Sequence, residues 1–421
     1  MSAAVAVPSD TEPATVLAIL PQLIPSTEIG VVKPLLALHR DRRVIFDVTL
    51  EPWVTRRQLA RADVVVFCRN TEPRYGATLD AVLALRKPII YELDDDFFAI
   101  PPGAPGSQYH RDPPRLAQLE RYLRHASLVR VYSEALHARI AALNPQVTRV
   151  DGLVDWDLIP AATASRSAAP LRIVYATSRT DDRLADMFLP DLRRVLDTFR
   201  GRVEAWFWGY RPSDLAGCPD VHCVGFVQDY NVFFRRFAST GFDIGLAPLP
   251  DDEFHRAKSD NKFREYAATG IAGVYSDVAV YRECVTPGRT GLLVPVRPNA
   301  WFDAVARLVD DGALRSRIAE EARAYARTRY SVTRSKDVWL GHLREALASR
   351  TARPNPLSIP QASGAVNRHG VRFLRRAAEV LRGAATPGVF RLGARARWHL
   401  RSARALMRLR RELARSTTTD A

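Results

Sequence analysis

The sequence is poor in the residue groups on which disulfide-bonded and metal-binding proteins depend. Its 421 residues include four cysteines, with no Cys-x-x-Cys pair among them. The nine histidines show neither metal-ligand spacing nor a Ser/His/Asp arrangement. This usage indicates reduced thiols in the cytoplasm rather than a disulfide framework or a zinc site. The four thiols belong to Cys68, Cys218, Cys223 and Cys284.

Long apolar runs are missing as well. No uncharged apolar stretch approaches the roughly 18 to 20 residues that a membrane-spanning helix needs. The N-terminal residues lack the basic segment with which a secretory signal begins. We therefore expect a cytoplasmic protein that is not integral to a membrane.

Strand-like and helical segments alternate twice along the chain. The alternation runs over residues 1–160, stops at a small, polar linker at 161–170, and begins again over 171–350. This rhythm predicts an α/β fold with two Rossmann-like, doubly wound parallel-sheet domains that face a ligand-binding cleft. The predicted strands are residues 16–20, 63–68, 88–93 and 128–132 in the first half, and 171–176, 203–208, 221–224, 244–247, 273–276 and 291–294 in the second.

A helix with a marked beginning and end is predicted in the second half. Ser259 is a candidate N-cap and Gly270 a candidate C-terminal stop, which together predict a helix over about 260–269. The free N–H groups and the dipole at such a helix N-terminus attract phosphate.

Charged residues accompany this helix at spacings of four and three. Lys258, Lys262 and Glu265 are expected along one edge, where the two lysines suit a diphosphate and the carboxylate can accept both ribose hydroxyls. The pattern suggests a nucleoside-diphosphate ligand. The alternative is a solvated helix face that carries an ion pair.

Five motifs in the second half, taken in order, resemble the donor-site signature of family-4-type GT-B glycosyltransferases (glycosyltransferase group 1). They are Phe207-Trp-Gly209, Val224-Gly225-Phe226-Val227, Asp243-Ile-Gly-Leu-Ala-Pro248, Lys262-Phe-Arg-Glu265 running on to Gly270, and Gly288-Arg-Thr-Gly291-Leu-Leu-Val. The resemblance implies a GT-B fold, retention of anomeric configuration, and a nucleotide-diphosphate sugar as co-substrate without a metal or other cofactor. It implies donor contacts by Arg179, Gly225, Phe226, Lys258, Lys262 and Glu265.

One position departs from the family pattern. Many members carry two glutamates eight positions apart; Glu265 fills the second place, but Ala257 stands at the first. Lys258, beside it, is the candidate to bind the phosphate instead.

Three carboxylates follow the predicted strand at 88–93. Asp94, Asp95 and Asp96 are expected to repel one another, which raises the pKa of at least one. We expect Asp94 or Asp95 to position the acceptor in the cleft, with Lys258 as the third catalytic candidate. The alternatives are a helix N-cap with acidic first-turn residues, or a metal-binding Asp-x-Asp.

The loop after the first strand is the acceptor-side candidate. Ser26, Thr27 and Gly30 occupy the place where the family has a glycine-containing loop, although the usual double glycine is missing. The resemblance therefore implies transfer of a sugar to a lipid-linked or surface-glycan acceptor, as in bacterial surface-glycan biosynthesis. A nucleotide-sugar 2-epimerase and an inactive GT-B scaffold are the alternatives.

The C-terminal tail, 356–421, carries most of the positive charge. Residues 351–421 contain fifteen arginines, no lysine and three carboxylates, a net +12 of the chain's +15. Leu406, Leu409 and Leu413 recur at helical spacing among these arginines. Such helices lie on anionic membrane surfaces, so we expect 368–415 to bind the inner face of the cell membrane. The alternatives are a disordered or core-packing extension, and a nucleic-acid-binding tail, which we do not expect because no aromatic interleaving accompanies the arginines.

Overall fold

Each half of the chain builds a six-stranded sheet in which all strands are parallel. The computed structural model describes residues 12–104, 106–160, 170–178, 183–349 and 394–416. The first sheet has the order β2-β1-β3-β4-β5-β6 and the second β12-β11-β10-β7-β8-β9. The strands are β1 (Ala14–Leu20), β2 (Val44–Leu50), β3 (Val64–Cys68), β4 (Ile89–Leu93), β5 (Leu128–Val131), β6 (Val147–Arg149), β7 (Leu171–Ala176), β8 (Val203–Trp208), β9 (Val221–Val224), β10 (Ile244–Ala247), β11 (Ala272–Ser276) and β12 (Leu292–Val294).

Helices flank both sheets and complete two doubly wound domains, which confirms the predicted fold class. A π-helical stretch, Glu28–Val32, joins α1 to α2. The helices are α1 (Pro25–Thr27), α2 (Lys33–Arg40), α3 (Arg56–Arg61), α4 (Gly76–Ala84), α5 (Ser107–His110), α6 (Pro113–His125), α7 (Glu134–Ala141), α8 (Leu189–Thr198), α9 (Tyr230–Thr240), α10 (Glu253–Arg256), α11 (Asn261–Thr269), α12 (Ala279–Arg282), α13 (Ala300–Asp310), α14 (Gly312–Arg329), α15 (Val332–Ala348) and α16 (Ala394–Ser416).

The four predicted strands of the first half and the six of the second are all present, but β2 and β6 were not predicted. Both lie at the edges of the first sheet. In β2, buried Val44 and Phe46 flank the exposed Ile45, and the three residues of β6 are all half-buried. An edge strand is partly solvated, so it lacks the continuous apolar run that marks a central parallel strand.

Two segments from the second half of the chain pack into the first domain. Phe254 and Ala257 are buried in its core beside β3 and β4. Helix α15 packs Trp339 and Leu343 under the other face of the same sheet, and the Trp339 indole N–H donates to the carbonyl of Gly30 at 2.9 Å. These contacts fix the cleft-facing loops of the two domains relative to each other.

Helix α16 also packs on the first domain. Leu406, Leu409 and Leu413 are buried with the residues of β2 and α2, and the Arg410 guanidinium donates to the carbonyl of Val48 at 3.2 Å. Each buried leucine contributes roughly 1.5–3 kcal/mol. The apolar face that we expected to enter a membrane is therefore covered by protein, which is the core-packing alternative.

The rest of the tail, residues 350–393 and 417–421, lies outside the described residues. Within the described ranges, no helix is long and apolar enough to cross a membrane.

Candidate active site

The carboxyl ends of both sheets open into one cleft, with a cavity of about 500 Å³ lined by residues of both domains. Side chains at this edge meet because parallel strands end on the same side of a sheet. The first domain contributes Ser26, Arg69, Asp94 and Asp95 to the lining. The second domain contributes polar and aromatic residues that include Thr177, Ser178, Phe226, His255, Lys258, Lys262 and Glu265.

Helix α11 presents the predicted donor-site pair. The Lys262 ammonium lies 2.7 Å from a Glu265 carboxylate oxygen, and the Glu265 side chain is only 12% exposed. Gly270 ends the helix in the left-handed region, at φ 73°, as predicted. An ammonium beside a carboxylate, on one helical turn that faces the cleft, is chemically suited to hold a phosphate next to a pair of hydroxyls.

The N-terminus of α11 differs in one detail from the prediction. Asp260, not Ser259, is the N-cap residue, and its side chain does not cap the helix. One Asp260 oxygen accepts from the Arg264 guanidinium at 2.8 Å and the other from the Tyr330 hydroxyl at 2.6 Å. Because the cap is engaged elsewhere, the first-turn amides of α11 are available to an anion in the cleft.

Four charged side chains form a row across the cleft. Arg69 pairs with Asp94 and, at 3.1 Å, with Asp95. Asp95 in turn lies 2.6 Å from the ammonium of Lys258 in the second domain. All four side chains are between 14% and 18% exposed. The two domains are thus joined across the cleft by an Asp94–Arg69–Asp95–Lys258 array.

Asp96 is separate from this array. It is buried, pairs with the Arg139 guanidinium at 2.7 Å, and accepts the backbone N–H of Phe98 at 3.0 Å. Burial raises the pKa of Asp96 above its usual value, while Arg139 opposes the rise. An elevated pKa was expected for at least one of the three aspartates, and Asp96 has one, but its main cause is burial. Repulsion among the three carboxylates is weaker than expected because Arg69 lies between Asp94 and Asp95.

Arg69 was not predicted, although the sequence held a signal for it. It follows β3 directly, and Asp94 follows β4 directly; the two strands are neighbours in register. Residues just beyond neighbouring parallel strands meet at one edge. Arg69 also adopts a left-handed backbone, at φ 61°, which is uncommon for a residue with a side chain.

The remaining residues predicted on the donor side do not all line the cavity. Phe226 lines the cavity and is 50% exposed, so it is not a core residue. Gly225 precedes it in an exposed loop and does not line the cavity. Thr177 and Ser178 reach the cavity at the end of β7, whereas Arg179 lies outside the described residues.

Of the three residues predicted on the acceptor side, only Ser26 lines the cavity. Thr27 is fully buried, and its hydroxyl donates to the carbonyl of Gln22 at 2.9 Å. Gly30 is buried where a Cβ atom would collide with the Glu92 carboxylate and the Tyr132 hydroxyl. Thr27 and Gly30 thus shape the loop that carries Ser26.

The segment before α11 contains Ala257, where the sequence departs from the family pattern, and His255, a cleft residue that was not predicted from the sequence. Ala257 is buried in the first domain, where its carbonyl accepts from the Ser133 hydroxyl at 3.0 Å. His255, two residues earlier, lines the cavity. Its Nδ1 lies 2.8 Å from a carboxylate oxygen of Asp252, whose other oxygen accepts the His255 backbone N–H at 2.9 Å. A carboxylate on Nδ1 fixes the orientation of the His255 ring.

No group of three or more histidine, cysteine or carboxylate side chains is arranged to hold a metal ion in the part of the chain that the structure describes. In the array, Asp94 and Asp95 face Arg69 instead.

Comparisons with known proteins agree with this geometry. The family described as "Glycosyl transferases group 1" matches residues 172–311, a third of the chain that includes α11. No curated protein sequence matches.

Solved structures with the same fold match most of the chain at low identity. Anabaena HepE in complex with UDP and glucose is 16% identical, with a TM-score of 0.53, covering 78% of this chain and 98% of its own. Sucrose-phosphate synthase from Thermosynechococcus elongatus is 14% identical, with a TM-score of 0.58 and coverages of 80% and 100%. A putative UDP-N-acetylglucosamine 2-epimerase from Listeria monocytogenes is 13% identical, with a TM-score of 0.52 and coverages of 82% and 99%. These likenesses define the fold as GT-B.

Proposed function

We propose that this protein is a glycosyltransferase that transfers a sugar from a nucleoside-diphosphate sugar to a glycan acceptor. The observation that carries the proposal is the Lys262–Glu265 pair on α11, which faces the cleft at the uncapped N-terminus of that helix. The group 1 family match over 172–311 supports it, as does HepE, a protein of the same fold bound to UDP and glucose.

The donor diphosphate would lie between the N-terminus of α11 and the ammonium groups of Lys258 and Lys262. Glu265 would accept the ribose hydroxyls, and Phe226 would pack on the base. A diphosphate leaves once its developing negative charge is neutralised, so fixed cations and helix amides supply the main stabilisation of the transition state. Arg179 is a further phosphate contact in this proposal. The reaction proceeds without a metal and retains the anomeric configuration.

The acceptor side would be formed by Ser26, Asp94 and Asp95. Asp95 holds Lys258 across the cleft, so it links acceptor positioning to the cation that binds the donor. His255, oriented by Asp252, would form a hydrogen bond with a hydroxyl of the transferred sugar. It lies two residues before Ala257, the position of the missing family glutamate.

We further propose that the acceptor is lipid-linked or a surface glycan, and that the enzyme works at the inner face of the cell membrane. Support comes from the arginines of α16: with the leucines buried, Arg404 and Arg411 remain exposed on the outer face of the helix. The contact would be electrostatic rather than insertive. Each basic residue near an anionic surface contributes about 1 kcal/mol.

Product analysis tests the proposed activity. The protein is incubated with UDP-, GDP- and ADP-sugars, with and without a lipid-linked acceptor, and the products are separated by mass and by sugar identity. Transfer to the acceptor supports the proposal. Conversion of the donor sugar to an epimer supports the epimerase alternative, and nucleotide binding without either product supports an inactive scaffold.

A further inference from the structure

A second cavity lies where the chain crosses between the domains. The polypeptide leaves the first domain through residues 150–152 and returns to it through residues 329–335. The Val154 N–H donates to the carbonyl of Tyr330 at 2.9 Å and ties these crossings together. Between them is a cavity of about 320 Å³, which we call the hinge cavity, and it shares no lining residue with the catalytic cleft.

Positively charged donors dominate the lining of the hinge cavity. It contains four arginines, one histidine, two serines and a single carboxylate, that of Asp151. The arginines come from both sides of the crossing: Arg130 and Arg149 belong to β5 and β6, while Arg329 and Arg334 belong to the ends of α14 and α15. A ligand in this cavity would therefore contact both the first domain and the returning helices.

Three of the arginines are held in place by carboxylates. Arg130, which is 2% exposed, pairs with Glu92 at 2.9 Å and lies over the Trp339 ring at 3.8 Å. Arg149 pairs with Glu283 at 2.8 Å, and Glu134 and Asp151 lie 3.3 and 3.7 Å from it. Arg329 pairs with Asp151 at 2.8 Å. These carboxylates offset much of the positive charge. They orient the guanidinium groups, however, and each group has five N–H donors, more than its ion pairs use.

Arg334 supplies the charge that these carboxylates do not offset. Its side chain is exposed and makes no ion pair or hydrogen bond to any described residue. It sits in the first turn of α15, a 17-residue helix capped by the Ser331 hydroxyl, so the helix dipole also favours an anion here.

His342, the histidine of the lining, presents a hydrogen-bond donor. The Arg130 guanidinium donates to Nδ1 of His342 at 2.6 Å, and an arginine can only donate. Burial and Arg130 lower the pKa of His342 to about 4, so the ring is neutral near pH 7. Its proton therefore resides on Nε2.

We propose that the hinge cavity binds a small phosphate-bearing anion, with Arg334 closing over a ligand that bridges the two domains. Fixed guanidinium groups on several sides match the bidentate recognition of phosphate oxygens. The cavity is smaller than the cleft, and no phenylalanine, tyrosine or tryptophan is among the described residues that line it, which favours a phosphate ester or a diphosphate over a whole nucleotide.

Titration of the full-length protein with inorganic pyrophosphate, followed by calorimetry, tests this proposal. The catalytic cleft is also expected to bind pyrophosphate, so three variants separate the two sites. Arg334→Gln removes the hinge donor, Lys262→Gln weakens the cleft, and Arg344→Gln is a control of equal charge change on the exposed surface of the same helix.

We expect a binding event that Arg334→Gln weakens about tenfold, the effect of one charge-assisted contact, and that Lys262→Gln and Arg344→Gln leave unchanged. Unaltered binding in Arg334→Gln, or loss of all binding in Lys262→Gln, would overturn the proposal. If only the proposed donor site in the cleft is wrong, pyrophosphate still binds in the hinge cavity, but no binding event depends on Lys262. The two proposals can therefore be refuted separately.

Discussion

Replacing Asp95 by asparagine tests how the array across the cleft controls donor binding. Asp95 holds Lys258 at 2.6 Å, with both side chains less than a fifth exposed. Two unit charges 4 Å apart attract by about 4 kcal/mol at the effective dielectric of a partly buried site. Desolvation offsets much of this, and hydrogen bonds to charged groups contribute a net value of about 1.5–3 kcal/mol.

In the proposed site, the donor diphosphate would therefore compete with Asp95 for Lys258. Asparagine keeps the size of the side chain and its hydrogen-bonding oxygen but removes the charge. We expect Asp95→Asn to tighten nucleoside-diphosphate binding by about 1.4 kcal/mol, or tenfold, and to lower turnover because the acceptor is less well positioned. Asp94→Asn, which lies beyond Arg69 in the array, is the matched control and should change diphosphate affinity less than threefold.

A double-mutant cycle measured by calorimetry decides whether Lys258 carries the effect. In a Lys258→Gln background, the change Asp95→Asn should no longer tighten binding. If the gain persists in that background, Asp95 repels the ligand directly and the reasoning about Lys258 is wrong. If Asp95→Asn weakens binding, the array assists the donor rather than competing with it.

Three further predictions concern other parts of the molecule. Burial raises the pKa of Glu51 from 4.5 to about 7 in the folded protein, so the stabilisation that protonated Glu51 gives the folded state is complete below pH 4.5 and is lost as the pH rises through 7. The wild-type free energy of unfolding should therefore fall by roughly 3 kcal/mol between pH 4.5 and 8, and Glu51→Gln should remove this fall, measured by urea unfolding. His255→Ala should lower kcat/KM for the nucleotide sugar at least tenfold while UDP affinity stays within twofold. Changing Arg404 and Arg411 together to glutamate should abolish sedimentation with anionic liposomes without lowering the melting temperature.

Each of these predictions has a control or a contradicting result. Equal pH dependence of unfolding in Glu51→Gln and the wild type would mean that Glu51 titrates normally in the folded state. Loss of UDP binding in His255→Ala would place His255 at the nucleotide rather than at the sugar. For the liposomes, Arg235→Glu with Arg236→Glu on the exposed surface of α9 makes the same charge change elsewhere, and equal loss of binding would refute a specific role for α16.

The sequence predicted the central strands better than the edges of the first sheet. Central strands such as β3 are buried on both faces, and their apolar runs are unbroken. The edge strand β2 has its exposed Ile45, and part of its cover comes from α16, an element nearly 350 residues away in sequence. Such coverage depends on long-range packing, which a local pattern does not encode.

The proximity of Lys262 and Glu265 was predictable because both residues lie within one helix. Lys262 and Glu265 are three positions apart, so helical geometry alone places them together. The array across the cleft depends instead on strand order and on the approach of two domains. Asp94 and Asp95 were recognised as a cluster, but their partners Arg69 and Lys258 come from 25 residues before and 163 residues after in the chain.

Calorimetric titration of a nucleoside diphosphate into wild-type protein and Glu265→Ala tests whether Glu265 holds the nucleotide. UDP, GDP and ADP are each titrated, with Glu320→Ala, an exposed glutamate on α14, as the control. We expect one nucleotide to bind the wild type and the control equally, and Glu265→Ala to weaken its binding by roughly 1.5–3 kcal/mol. Absence of binding by all three nucleotides, or unchanged affinity in a folded Glu265→Ala protein, would show that the nucleotide does not bind at Glu265.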